Sequence, residues 1–230
     1  MTVNDIIKAV RLCIDEEDSN PSSLANQGVL GSDNALMNNI IKGKIGDALK
    51  WICLFSPAEL LSTTESSVSG SIDIVVEETN KSVETDTNLL SPVSPLLKVV
   101  RVKGSKWHRA VLGDSLIRED SDEYLQLNDP NGAVATDDRP QAVLINTKEK
   151  KVEVWPAVGS TFTLTYAKAL SSAELSSLNT VTTIVNIPVL VETSFIYYLA
   201  YLVLTAYGDA RKDSMLEVAM QSLGRSQKQQ

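Results

Sequence analysis

His108 is the chain's one histidine, and it lies beside Trp107 in a run, Trp107 to Leu112, that reads as a β-strand. With no cysteine, histidine or carboxylate at ligand or triad spacing around it, this imidazole is expected to be neither a base nor a metal ligand. Cys13 and Cys53 fall at apolar positions of helical patterns and read as small buried thiols, which fits a reducing, cytosolic origin. Asp129, Asn131 and Gly132 give half of a calcium-loop spacing, but the other acidic ligands are missing and the stretch reads as a turn. Asp15-Glu16-Glu17-Asp18 reads as a solvated helix end. The sequence has no glycine-rich phosphate loop, no cysteine pairs at zinc spacing and no nucleophile elbow. The remaining carboxylates are scattered over expected loops. The residue chemistry therefore points to recognition without a cofactor or metal, and not to an enzyme.

Charge narrows the partners. Twenty-nine acidic against 21 basic side chains give a net charge of −8 and a pI near 4.8. A protein that grips nucleic acid by neutralising phosphates needs the opposite sign. DNA met by this surface is expected to pass, not to be held. Met1 leads straight into polar Thr2, Asn4 and Asp5, so no secretory signal is expected.

The elements that must present any such surface are organised around Ile187 to Gly208, the longest nearly uncharged run, interrupted only by Glu192. Pro188 suits a first helical turn and Gly208 a left-handed C-terminal cap. The run has the length of a membrane span, yet Tyr197, Tyr198 and Tyr201 sit at its middle and not at two interfaces, so a core helix is expected. At the N-terminus, Thr2 and Asp5 form a capping-box pattern before a helix expected to reach about Glu17. A polar loop, Ser19 to Gly31, precedes a second helix capped by Ser32 or Asp33, with Met37, Ile41, Ile45, Ala48, Ile52 and Phe55 on one face. Gly43 and Gly46 each cost that helix about 1 kcal/mol relative to alanine, which close packing could offset. Ser56-Pro57-Ala58-Glu59 predicts a short third helix from Pro57 to Leu61.

Ser62 to Pro95 turns polar, with one alternating segment at Ile72, Ile74 and Val76. After it, strands are expected at Val99–Val102, Trp107–Leu112, Gln141–Asn146, Lys151–Trp155 and Thr161–Tyr166, the last three forming an antiparallel meander with one wet face. A short helix around Asp120–Leu125, a helical turn at Ser171–Leu178, a strand at Val181–Val185 and a final helix at Asp213–Leu223 complete the reading.

The ordered motifs Glu119-Asp120-Ser121-Asp122-Glu123-Tyr124, Arg139-Pro140-Gln141-Ala142-Val143-Leu144, Val152-Glu153-Val154-Trp155-Pro156-Ala157 and Thr163-Leu164-Thr165-Tyr166 lead into a Pro-led apolar helix. In that order they resemble the head–tail adaptor proteins of short-tailed bacteriophages, over Val99 to Leu223, and are similar to the first ring protein of crAss-like phages. The expected fold is α+β, a discontinuous helical bundle formed by both termini with an inserted antiparallel β domain. Its expected parts are the bundle at 1–62 and 187–224, a polar arm at 63–95, the β domain at 96–186 and a flexible tail at 225–230. The resemblance implies a homo-oligomeric ring, a dodecamer matching the portal, that continues the DNA channel at the virion's head–tail interface and is assembled in the host cytoplasm. Its implied partners are the portal protein and the next tail or ring protein, with no membrane and no specific binding of the DNA in the lumen. Adaptor C-termini commonly reach into the portal, which makes Arg225, Lys228, Gln229 and Gln230 the portal-binding candidates; the family has no catalytic residues to carry over. Read from residues alone, a carbohydrate- or surface-binding β module on a helical base is the alternative. That reading needs exposed aromatics, for which the β region offers the tryptophans Trp107 and Trp155.

Overall fold

A capping box opens the first helix, α1 (Val3–Cys13): the Thr2 hydroxyl accepts the Asp5 amide at 3.1 Å, and the Asp5 carboxylate accepts the Thr2 amide in return. The computed structural model describes residues 1–14, 27–62, 69–80, 88–129, 132, 134–145, 150–157 and 161–224, and for 27–34, 80 and 128 their backbone. The fold is α+β, with helices at both ends and largely antiparallel sheets in the middle. It divides into a helical unit, residues 1–56, 63–74 and 170–230, and a β unit, residues 57–62 and 75–169.

In the helical unit, α1 is followed by α2 (Gln27–Phe55), and after the β unit come α5 (Ser172–Ser177), α6 (Val189–Tyr207) and α7 (Lys212–Ser222). α6 packs against α1, α2 and α7. By length and composition it could cross a membrane. Here eight of its side chains are buried, among them Phe195, Leu199 and Val203, as a helix apolar on all sides requires inside a bundle. The buried Ser194 hydroxyl finds its partner on α7, 2.7 Å away at Ser222. Gly208 ends α6 at φ 69°, the left-handed conformation that glycine adopts without a Cβ clash. Pro188 lies one place before the first turn, at the N-cap.

Several boundaries differ from the sequence reading. α1 stops at Cys13 instead of about Glu17; the helix dipole disfavours the acidic run, and the Ile14 carbonyl turns instead to the Arg211 guanidinium at 3.2 Å. α2 starts at Gln27, inside the expected loop, because Gly28, Gly31 and Ser32 lower helix propensity without forbidding a helix. Gly46 leaves room for α5: a Cβ there would meet the Leu175 Cδ2 at 2.7 Å. The expected strand Val181–Val185 is reduced to β10 (Val185–Asn186), which pairs in parallel with β1 (Ile72–Asp73). The N-terminal ammonium donates to the Val185 carbonyl at 2.9 Å and the Val3 amide to Thr183 at 2.9 Å, so the chain start is stitched beside the approach to α6.

The β unit begins with α3 (Ala58–Leu61). Its expected Ser56 cap is not used in that way: Pro57 is the N-cap, and the Ala58 amide donates to the Asp114 carboxylate, 2.6 Å away and 56 residues on. Asp114 is itself paired with Lys98 at 2.9 Å.

Further strands are β2 (Val75–Asn80), β3 (Leu89–Leu90), β4 (Leu96–Gly104), β5 (Val111–Leu112), β6 (Ile117–Arg118), β7 (Gln141–Ile145), β8 (Lys151–Trp155) and β9 (Phe162–Lys168). α4 (Asp122–Asn128) is capped by Ser121. One sheet has the order β2-β9-β4-β5 and the other β3-β8-β7-β6. They share one core, in which Val99, Phe162, Leu164 and Tyr166 meet Leu90, Val152 and Val154 around Trp107.

The expected three-strand meander is therefore only a hairpin of β7 and β8. β9 leaves for the other sheet, where its buried Phe162, Leu164 and Tyr166 match Val76 and Val102 on β2 and β4. The stretch read as a polar arm contributes β1 to the helical unit and β2 and β3 to the β unit. Trp107–Ala110 is loop, not strand, and only Val111–Leu112 pairs. Gly113, in the 3-10 turn Gly113–Ser115 that follows β5, cannot be replaced without a shift, since a Cβ would lie 1.8 Å from the Val99 carbonyl oxygen. Nor is the outer face of β8 wet throughout: Glu153 is buried and accepts the Tyr124 hydroxyl of α4 at 2.8 Å.

Leu199 is fully buried in α6. Leu199→Ala should cost about 2–5 kcal/mol in chemical denaturation. Leu199→Asp, which buries an unpaired charge, should lose the helical circular-dichroism signal of the folded chain.

Candidate functional site

The last two turns of α2 have two apolar faces. Ala48, Leu49 and Ile52 point into the bundle and are fully buried, while Trp51, Leu54 and Phe55 remain open to solvent in part. Residues four apart share a helix face, so the Trp51 and Phe55 rings stack with centroids 5.4 Å apart. From α6, Tyr198 stacks on the Trp51 ring, 3.9 Å between centroids and 7° between planes, and Tyr201 lies 5.6 Å from Tyr198. The result is a four-ring ladder across two helices, with Phe55 39% and Leu54 42% exposed.

Burial raises the Tyr198 phenol above its ordinary pKa, helped by Tyr201 and by the Asp47 carboxylate one helical turn before Trp51. Asp47 also pairs with Lys44 at 3.7 Å, so charges continue the ladder's stripe along α2. Large aromatics held rigidly by their neighbours and left half-open are the residue types that dominate protein–protein contacts. In the sequence Phe55 and the tyrosines read only as core. The missed signal was the second apolar stripe, Trp51, Leu54 and Phe55, on a helix whose first stripe already fills the core.

The β unit carries a cleft of about 590 Å³, lined by Arg109–Leu112, Ser115–Ile117, the α4 residues Glu123, Gln126 and Leu127, and Pro140–Gln141. Beside it in sequence, His108 Nδ1 lies 2.6 Å from the Asp138 carboxylate, both strongly exposed. Hydrogen bonding to Asp138 and the charge of that carboxylate raise the imidazole pKa. Burial raises the Glu153 carboxyl, against the lowering effect of the Tyr124 hydroxyl. Among the described residues these groups form separate pairs, and no nucleophile, base and oxyanion donor are brought to one point.

Trp107 is buried and its indole N–H donates to the Pro156 carbonyl at 3.0 Å, while Trp155 is half-buried. Cys53 is buried and Cys13 half-buried, both as thiols. No group of three or more potential metal ligands occurs among the described residues. The Gly132 amide donates to the Asp129 carbonyl at 2.9 Å. The portal-binding candidates Arg225, Lys228, Gln229 and Gln230, and the acidic run Asp15–Asp18, lie outside the described residues.

Comparison of the sequence with models of known protein families, and with curated proteins, finds no match.

The His108 pair offers a check on the loop geometry. Asp138→Asn should return the imidazole toward its ordinary pKa in an NMR titration. Because the folded-state value is raised, the pair contributes stability at pH below the ordinary imidazole range, and that contribution fades as pH rises through the raised value. An unchanged titration would show that the two side chains do not meet in solution.

Proposed function

We propose that this chain is a structural virion protein, a head–tail adaptor of a short-tailed bacteriophage, forming a ring below the portal that continues the DNA channel and joins the portal to the tail. The observation that carries the reading is the aromatic ladder Trp51, Phe55, Tyr198 and Tyr201. It lies on a helical unit to which both ends of the chain contribute, and a ring needs such a rigid, half-open apolar face on each subunit. The ordered motifs between Val99 and Leu223 support the same reading, as does the net charge of −8, which suits a lumen that lets DNA slide. In this proposal the ring is a dodecamer, its neighbours are the portal and the next tail or ring protein, and the chain performs no catalysis. Arg225, Lys228, Gln229 and Gln230 make the portal contact, through a segment with two cations, three glutamines and a serine.

Electron microscopy of the purified protein, alone and mixed with portal, should show closed rings. Phe55→Lys places a charge on the ladder at a position already 39% exposed. It should keep the helical signal and shift the ring to monomer in native mass spectrometry. A protein that stays monomeric with portal present would overturn the proposal, and so would glycan-array binding without portal affinity, which would favour the carbohydrate-binding alternative.

The tail has its own test. Deleting residues 225–230 should leave the melting temperature unchanged and weaken portal capture, most at low ionic strength, where the charges of the tail are least screened. Equal capture by the truncated and full-length proteins would move the portal contact elsewhere.

A further inference from the structure

Both sheets of the β unit end, on one side, in a strand of two residues. β5 pairs only with β4 and β6 only with β7, so among the described residues the outer edges of both have no strand partner. The cleft of about 590 Å³ lies along these edges. Four consecutive residues, Arg109 to Leu112, line it, so both residues of the β5 edge stand on its wall. Leu112, Leu116 and Leu127 add apolar surface, and Glu123, Gln126 and Gln141 add polar groups. An open edge beside a cleft lined by both apolar and polar side chains is the arrangement in which an extended peptide is held by main-chain hydrogen bonds and sorted by its alternate side chains.

Charge selects the peptide. From Arg109 to Gln141 the chain carries eight carboxylates, three arginines and no lysine. Glu119, Asp120, Asp122 and Glu123 are exposed on the approach to α4 and its first turn, where α4 contributes Glu123 to the cleft. Arg109 is the cation of the lining, and the surroundings remain acidic. A segment with apolar residues on one face and lysine or arginine on the other is complementary to both features. The chain's own tail, Gly224 to Gln230, is basic but has no apolar residue after Gly224 to fill the leucine wall.

We propose that this cleft takes an extended, apolar segment bearing lysine or arginine from a partner protein, added as a strand on the β5 edge. This goes beyond the ring reading and does not depend on it, because it concerns the β unit alone.

The test uses the full chain and fluorescently labelled octapeptides. One alternates valine with lysine, a second alternates valine with glutamate, and a third is the valine–lysine peptide N-methylated at every second residue. Anisotropy should show that the first binds, that the second binds at least about tenfold more weakly, and that the third has lost the main-chain donors needed for strand addition. Glu123→Lys, at an exposed position, should weaken the first peptide about tenfold, while Asp213→Lys on the helical unit should leave it unchanged. Amide resonances of Val111 and Leu112 should shift on titration. Equal binding of the lysine and glutamate peptides, undiminished binding of the N-methylated peptide, or no binding at millimolar concentration would each overturn the proposal. Rings that form with peptide binding absent would separate this failure from that of the ring reading.

Discussion

α6 needs neighbours on most of its sides. Its apolar positions run all the way round, eight of its side chains are buried, and their cover comes from α1 and α2 at one end of the chain and α7 at the other. The rest of the helical unit follows from this requirement. The N-terminal ammonium, the Val3 amide and β1 all bond to the segment just before α6, and Arg211 just after it reaches back to the carbonyl that ends α1. Where the cover thins, rings of α6 come to the surface, and Tyr198 is covered by the Trp51 ring of α2 on one hand and meets Tyr201 of its own helix on the other.

The β unit solves a different problem, how two small sheets close over one core with short edges. Tyr166 is buried with the core, but its hydroxyl donates to the Glu78 carboxylate and accepts the Ser94 amide at 3.0 Å, while Glu78 also accepts the Val93 amide at 3.1 Å. This network ties β2 and the turn before β4 to the central strand β9, and burial together with Glu78 raises the phenol's pKa. On the opposite face, Glu77, Thr165 and Arg101 form a row across β2, β9 and β4, so the polar alternation of three strands is used as cross-strand pairing.

Local signals were legible in the sequence. The capping box at Thr2–Asp5, the helical turn after Ser171 and the glycine ending α6 all depend on neighbours a few residues away, and all formed. What depended on distant residues was not legible. No local pattern tells that Asp114 caps α3, that Tyr124 covers Glu153, or that β9 joins β2 and β4 instead of β8. The aromatic ladder lay between these cases. Its rings were visible, but a tyrosine inside an apolar run looks the same whether it faces a core or an opening, and only Trp51 from another helix decides the matter.

The bond from Arg211 to Ile14 spans 197 residues, and its length in the chain has a consequence for synthesis. A ribosome delivers α1 and α2 first, yet the helix that buries them emerges only after the whole β unit has been made. Until then Val3, Ile6, Ile41 and Ile45 lack their native partner. The β unit, whose strands pair within residues 75–169, can close in the meantime, and α3 is already waiting for Asp114. The order of synthesis therefore inverts the order of burial: the strands of the middle can pair before the apolar faces of the first helices meet α6.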